Sequence, residues 1–149
     1  MAAAQKMGRG LKALACLLLC ALTTPAASYY VTVAGLGGTP EYESQFTKWA
    51  ADIDHQLHAN GPETTVLTLT GNSAMREHIR EALSRLSGEM KSDDAFALLL
   101  IGHGTFDGTD YKFNIPGPDI TAAELASLLN RLPATRQLVV NMTSCSGAS

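Results

Sequence analysis

A chain of 149 residues, 46% hydrophobic and 17% charged, has room for one core and shows neither an internal repeat nor a low-complexity run. This excludes a solenoid or a disordered chain and leaves one soluble domain. A formal charge of −3 without a visible basic patch excludes a protein built to grip a nucleic-acid backbone.

The chain opens with Lys6, Arg9 and Lys12, then the apolar run Ala13 to Leu22, then Thr23-Thr-Pro25 and the small residues Ala26-Ala-Ser28. That is the layout of a secretory signal peptide, so residues 1–28 are expected to be removed, by cleavage after Ser28 or after Ala26. The domain then runs over residues 29–149 of a secreted or periplasmic protein. An apolar run of about ten residues is well short of the roughly 20 a spanning helix needs, so no stable membrane anchor is expected. Leu14-Ala-Cys16 loosely resembles a lipoprotein cleavage site, but the apolar run continues past Cys16. Losing the leader removes three basic residues and no acidic one, which makes the mature chain more acidic. It also removes Cys16 and Cys20 and leaves Cys145 alone. No disulfide can form within such a chain, and an unpaired thiol in an oxidising compartment points to burial or to use.

Strand and helix patterns alternate along the rest. Tyr29-Tyr-Val-Thr-Val-Ala34 is rich in β-branched and aromatic residues and runs into Gly35-Leu-Gly-Gly38, which reads as a strand and a permissive loop. Phe46, Trp49, Ile53 and Leu57 recur at helical spacing, and Asn60-Gly-Pro62 ends that helix. Val66-Leu-Thr-Leu69 is a second strand. Met75, Ile79, Leu83, Leu86 and Met90 share one helical face, with Arg76, Glu77, Arg80 and Glu81 turned to water. Ala95-Phe-Ala-Leu-Leu-Leu-Ile101 is apolar throughout, as a strand covered on both faces is. The stretch Thr105 to Pro118 reads as a short hairpin over the sheet edge. Thr121-Ala-Ala-Glu124 is a capping box that opens a helix of Leu125, Leu128, Leu129 and Leu132, ended by Pro133. Gln137-Leu-Val-Val-Asn-Met142 is the last strand. Such alternation predicts a three-layer αβα sandwich with a mostly parallel sheet.

Two of these strands carry the chemistry. Gly102-His103-Gly104 follows the first apolar strand, and Thr143-Ser-Cys145-Ser-Gly147 follows the last, about forty residues later. Ligands bind open α/β sheets at the carboxyl ends of the strands. If the two strands are parallel neighbours, the Cys145 thiol and the His103 imidazole should lie within about 4 to 7 Å, with room for a substrate carbonyl between them. A thiol next to a base is nucleophilic at neutral pH; a lone buried cysteine is usually an inert small hydrophobe. Other motifs are weaker. Pro40 stands where the third glycine of a dinucleotide-binding turn would fall, so no cofactor is expected. Thr143 replaces the leading glycine of a nucleophile elbow. His55, His58 and His78 read as solvated helix surface, and no Cys/His spacing suits a metal.

An apolar strand, His103-Gly104, a crossover, and a second apolar strand ending in Ser144-Cys145-Ser-Gly147 resemble the legumain and caspase superfamily of cysteine peptidases. The legumain branch is nearest, since its first strand also runs into Val-Ala-Gly, here Val33-Ala-Gly35. The resemblance implies a legumain- or caspase-like fold and a cysteine endopeptidase acting on peptides or proteins. In it Cys145 is the nucleophile, His103 the base and later the acid, and the backbone N–H groups of Gly104 and Cys145 form the oxyanion hole. In legumains an asparagine orients the histidine and an arginine–histidine pair helps build the specificity pocket; those positions hold Glu41, Glu43 and Ser44, and the acid two residues before the nucleophile is Thr143. A pocket using Glu41 and Glu43 should favour a basic or neutral side chain over an acidic one. The resemblance also implies further C-terminal strands beyond Ser149, so the 149-residue piece alone is expected to be inactive. The competing expectation is a non-catalytic module that keeps the fold and binds peptides or partner proteins.

Overall fold

The computed structural model of the chain describes residues 26–143. The leader expected at 1–28 therefore lies almost wholly outside the described residues, and so does Cys145.

The elements follow the order read from the alternation. Strand β1 (Ser28–Ala34) leads to helix α1 (Pro40–His58), and β2 (Thr64–Leu69) to a 3-10 turn at Gly71–Ala74 and helix α2 (Arg76–Glu89). After β3 (Ala95–Gly102) come the short strands β4 (Gly104–Phe106), β5 (Tyr111–Phe113) and β6 (Ile120–Thr121), then α3 (Ala122–Leu129) and β7 (Arg136–Thr143). The main sheet has the order β2-β1-β3-β7, and every pair in it is parallel.

Helix α1 starts six residues ahead of Phe46. Thr39 is extended at its N-cap, Pro40 occupies the first turn, and Glu41 and Glu43 complement the positive end of the helix dipole. The stripe read from the sequence is narrower in the fold. Phe46 is buried, whereas Trp49 is 41% exposed and leans on the Phe46 ring with centroids 5.9 Å apart. At 100° per residue Trp49 is turned away from the sheet, which α1 contacts chiefly over β1 and β2. The capping box of α3 is half formed as expected: Thr121 Oγ1 accepts the Glu124 N–H at 3.1 Å. Glu124 is drawn instead to Arg80 Nε at 2.5 Å and Arg76 at 3.8 Å, which ties α3 to α2. The regular helix stops at Leu129, and single bonds from Arg131 to Leu128 and from Leu132 to Leu129 carry the turn as far as Leu132.

Alternation along the central strands sorts the core into two faces. Val31 and Val33 of β1 and Phe96, Leu98 and Leu100 of β3 pack with Ile79, Leu83 and Leu86 of α2 and Leu125 of α3. On the other face Ala34 and Ile101 pack with Phe46 and Ala50 of α1. The molecule is thus a mixed α/β fold, an all-parallel sheet with helices on both faces, compatible with a three-layer sandwich. Strand β7 stands apart from this cover. It is the outermost strand of the described sheet, and Leu138 (59%), Val139 (45%) and Met142 (47%) are exposed from its two faces. None of the described helices is long and apolar enough to cross a membrane.

Candidate functional site

From β1 the chain goes to β2 on one side and returns to β3 on the other, so the strand order reverses between β1 and β3. The crevice outside the carboxyl ends at such a point is where open α/β sheets hold ligands. The loop Gly35 to Gly38 leaves β1 there, and His103 leaves β3 there. Both are fastened by backbone bonds: Gly35 N–H donates to Ile101 O at 2.8 Å, Leu36 N–H to Asn114 O at 2.9 Å, and Asn114 N–H to His103 O at 3.0 Å.

The half-buried imidazole of His103 is fixed from three sides. Its Nε2 lies 3.1 Å from the carbonyl oxygen of Gly37. A carbonyl can only accept, so Nε2 carries the proton, and in the neutral ring Nδ1 is the basic nitrogen. The ring meets Tyr42 edge-on at 5.6 Å and Phe46 at 5.4 Å between centroids. Gly37 is itself held, because its N–H donates to Glu43 Oε1 at 2.9 Å. The chain of contacts therefore runs from Glu43 on α1, through the Gly37 peptide, to the imidazole.

The hairpin of β4 and β5 stands beside His103 at the same end of the sheet, as expected from its place after β3. Gly104 pairs with Phe113, and the bond from Asn114 N–H to His103 O makes this a non-hydrogen-bonded pair. In such a pair the N–H of each residue points away from its partner strand, so the Gly104 N–H is aimed out of the hairpin. Phe113 seats the hairpin on the sheet. A Cβ at Gly102 would come within 2.9 Å of its ring, and one at Gly35 within 2.8 Å, so glycine at both sites permits this approach. Asp119 closes the loop behind by accepting from Asn114 Nδ2 at 2.8 Å and Ile115 N–H at 3.2 Å. At the hairpin tip, backbone N–H groups of Asp110 and Thr109 and the Lys112 ammonium hold the Asp107 carboxyl far below the usual carboxylate range.

The residues singled out in the sequence fall as follows. Glu43 reaches the His103 support through Gly37, while Glu41 and Ser44 are exposed near the start of α1. Thr143 pairs with Gly102 in the parallel register Ala95↔Arg136 to Gly102↔Thr143, so β3 and β7 end level. Cys145, two residues past that level, lies outside the described residues, and with it its half of the expected oxyanion hole. A cavity of about 470 Å³ opens beside Gly104, lined by Leu100, Phe113, Leu125, Val139 and Asn141 among others. His55, His58 and His78 are exposed, and His58 and His78 bond the backbone carbonyls of Asp54 and Asn72. Among the described residues no cluster of His, Cys, Asp or Glu could hold a metal ion.

Sequence reasoning missed Gly37, Tyr42 and Phe46 as the support of His103. The Thr39-Pro40 pair was the available signal for two of them: a helix begun there carries Tyr42 and Phe46 on one face, four residues apart. Compared with known proteins, the chain matches no family model and no curated sequence.

Proposed function

We propose that this chain forms the amino-terminal part of the catalytic domain of a cysteine endopeptidase of the legumain and caspase superfamily, working through a dyad of His103 and Cys145. The observation that carries this reading is the level ending of the adjacent parallel strands β3 and β7, with Gly102 opposite Thr143. Neighbouring strands lie about 4.8 Å apart, and extended chain advances about 3.3 Å per residue. In sequence His103 and Cys145 follow that level by one and two residues, the spacing that the proposed dyad uses to hold one scissile carbonyl between imidazole and thiol.

In the proposed reaction His103 Nδ1 takes the thiol proton while the sulfur of Cys145 attacks the carbonyl carbon. The oxyanion is received by the N–H groups of Gly104 and Cys145, the former directed out of its hairpin. Protonated His103 then gives its proton to the leaving amine, and water, deprotonated by His103, releases the acyl group from sulfur. The Nε2 bond to Gly37 holds the ring in the tautomer that this requires. The outer edge of β7, unpaired among the described residues, could take up a further strand of the kind the resemblance implies, and the exposed apolar faces of β7 suit cover by the chain that would accompany it.

The test uses protein made from the complete reading frame. A peptidyl acyloxymethyl ketone should add once, on Cys145, by intact mass and peptide mapping, and Cys145→Ala should abolish both the adduct and hydrolysis of a mixed peptide library. Hydrolysis unchanged in Cys145→Ala would sink the assignment. A second reading, a non-catalytic peptide-binding module, is favoured by one observation: the outer edge of β7 is unpaired among the described residues, so an extended peptide could add there as a strand. It predicts library binding, insensitive to Cys145→Ala, with no hydrolysis.

Glu43 acts in this scheme as a positioning residue. Glu43→Ala should lower kcat about 10- to 100-fold with little change in KM, because the Gly37 peptide is released and the imidazole with it. Glu43→Gln should recover most of the loss, since its amide oxygen can still accept the Gly37 N–H. Steady-state kinetics of the pair checks this; equal losses in both variants would mean that charge, and not the hydrogen bond, matters.

A further inference from the structure

At the opposite end of the sheet from His103, the carboxylate of Asp94 is only 3% exposed. Its Oδ2 accepts the Lys91 N–H at 2.8 Å and its Oδ1 the N–H of Ala27, also at 2.8 Å. These two backbone donors, the first above all, hold its carboxyl below the usual range against the opposing effect of burial, with Lys91 and Arg136 adding positive charge. The chain around Ala27 is built into the fold: Ala27 O accepts the Ala95 N–H at 2.9 Å, and Ser28 N–H donates to Glu63 O at 3.0 Å while Ser28 pairs with Thr64 and Ala95. Ala26, one residue earlier, is exposed and makes none of these bonds.

The sequence offers two cleavage bonds that follow small residues, after Ser28 and after Ala26. Cutting after Ser28 would discard the Ala27 N–H, the Ala27 carbonyl and the Ser28 N–H, and would strip a buried carboxylate of one of its two donors. Cutting after Ala26 leaves every one of these atoms in place.

We propose that the leader is removed between Ala26 and Ala27 and that the α-ammonium so created is received by the buried carboxylate of Asp94. Hydrolysis adds one water across the bond: hydroxyl goes to the Ala26 carbonyl carbon, which leaves with the leader as a carboxylate, and the Ala27 nitrogen retains its position and becomes an ammonium. A neutral amide donor at 2.8 Å is thereby replaced by a charged one, and charge-assisted hydrogen bonds are roughly twice as strong as neutral ones. Processing thus converts a strand that enters from a leader into one anchored by an ion pair at its first atom. The other charged or titratable groups facing this site are Lys91, Arg136, Glu89 and Tyr29, whose hydroxyl is pushed up by burial, Asp94 and Glu89.

The experiment expresses the whole chain with its leader in a secreting host and sequences the amino terminus of the exported protein. The expected terminus is Ala27; Tyr29 or an intact Met1 overturns the proposal. The second arm dimethylates the terminal amine reductively, with ¹³C-formaldehyde and a borohydride reductant, and follows its NMR titration. The amine should titrate about one to three pH units above its ordinary range of about 7.7–8.0 and return to it in Asp94→Asn. An ordinary titration in the wild-type protein refutes the ion pair, and that result stands even if Asp94→Asn does not fold.

Discussion

In protein made from the complete reading frame, His103→Ala should lower peptide hydrolysis by about 10²- to 10⁴-fold, the usual contribution of a positioned general acid–base group. The same change should leave Cys145 present but slower to alkylate with iodoacetamide, because the thiol loses the base that generates its thiolate. Loss of the ring also removes two edge contacts, to Tyr42 and Phe46, each of a kind that contributes about 0.5–1.5 kcal/mol. A modest fall in melting temperature is therefore expected in this variant and would not by itself explain lost activity. His103→Gln separates the two effects. Its amide can still donate toward Gly37 O, yet it has no titratable nitrogen, so hydrolysis should fall as far as in the alanine variant with less loss of stability. Wild-type turnover in either variant, measured on a peptide library under matched folding, would end the dyad assignment.

The fold was readable in the sequence where one physical requirement dominated. The unbroken apolar run Ala95 to Ile101 could be soluble only with both faces covered, and it lies between β1 and β7 in the sheet, with α1 on one side and α2 and α3 on the other. The 3.6-residue stripe of α2 and the Thr121 cap of α3 were legible for the same reason: local periodicity and a local hydrogen bond decide them. Trp49 shares the helical spacing of Phe46 and yet is exposed, because helical spacing defines a face without saying how wide a cover that face meets. The support of His103 was hidden more deeply. It is made by a backbone carbonyl in a glycine loop, and carbonyls leave no trace in residue identity. Position alone pointed to Glu41 for orienting the histidine and to Glu43 for the specificity pocket; that Glu43 instead reaches the imidazole through the Gly37 peptide depends on three segments meeting in space.

That route makes Gly37 the site of the second large effect. A Cβ built on Gly37 would run into the backbone nitrogen of Glu43 and come within 2.6 Å of the Tyr42 carbonyl carbon and 2.8 Å of its Cβ. These atoms belong to the first turn of α1, which is capped by Thr39 and pinned by buried Phe46, so the loop and not the helix must move. Gly37→Ala should therefore cost about 1–3 kcal/mol of stability as an overpacked contact. It should also lower kcat about 100-fold, because displacement of the Gly37 carbonyl by about 1 Å releases Nε2 and lets the imidazole turn. Gly38→Ala is the matched control. Gly38 has φ +75° and open space around its Cβ position, so alanine there strains the backbone by about 1–2 kcal/mol without touching the helix. The two variants should then unfold at similar denaturant concentrations and differ widely in kcat. If Gly37→Ala retained the turnover of Gly38→Ala, the carbonyl of Gly37 would be a bystander and the orientation of His103 would have to come from its aromatic neighbours alone.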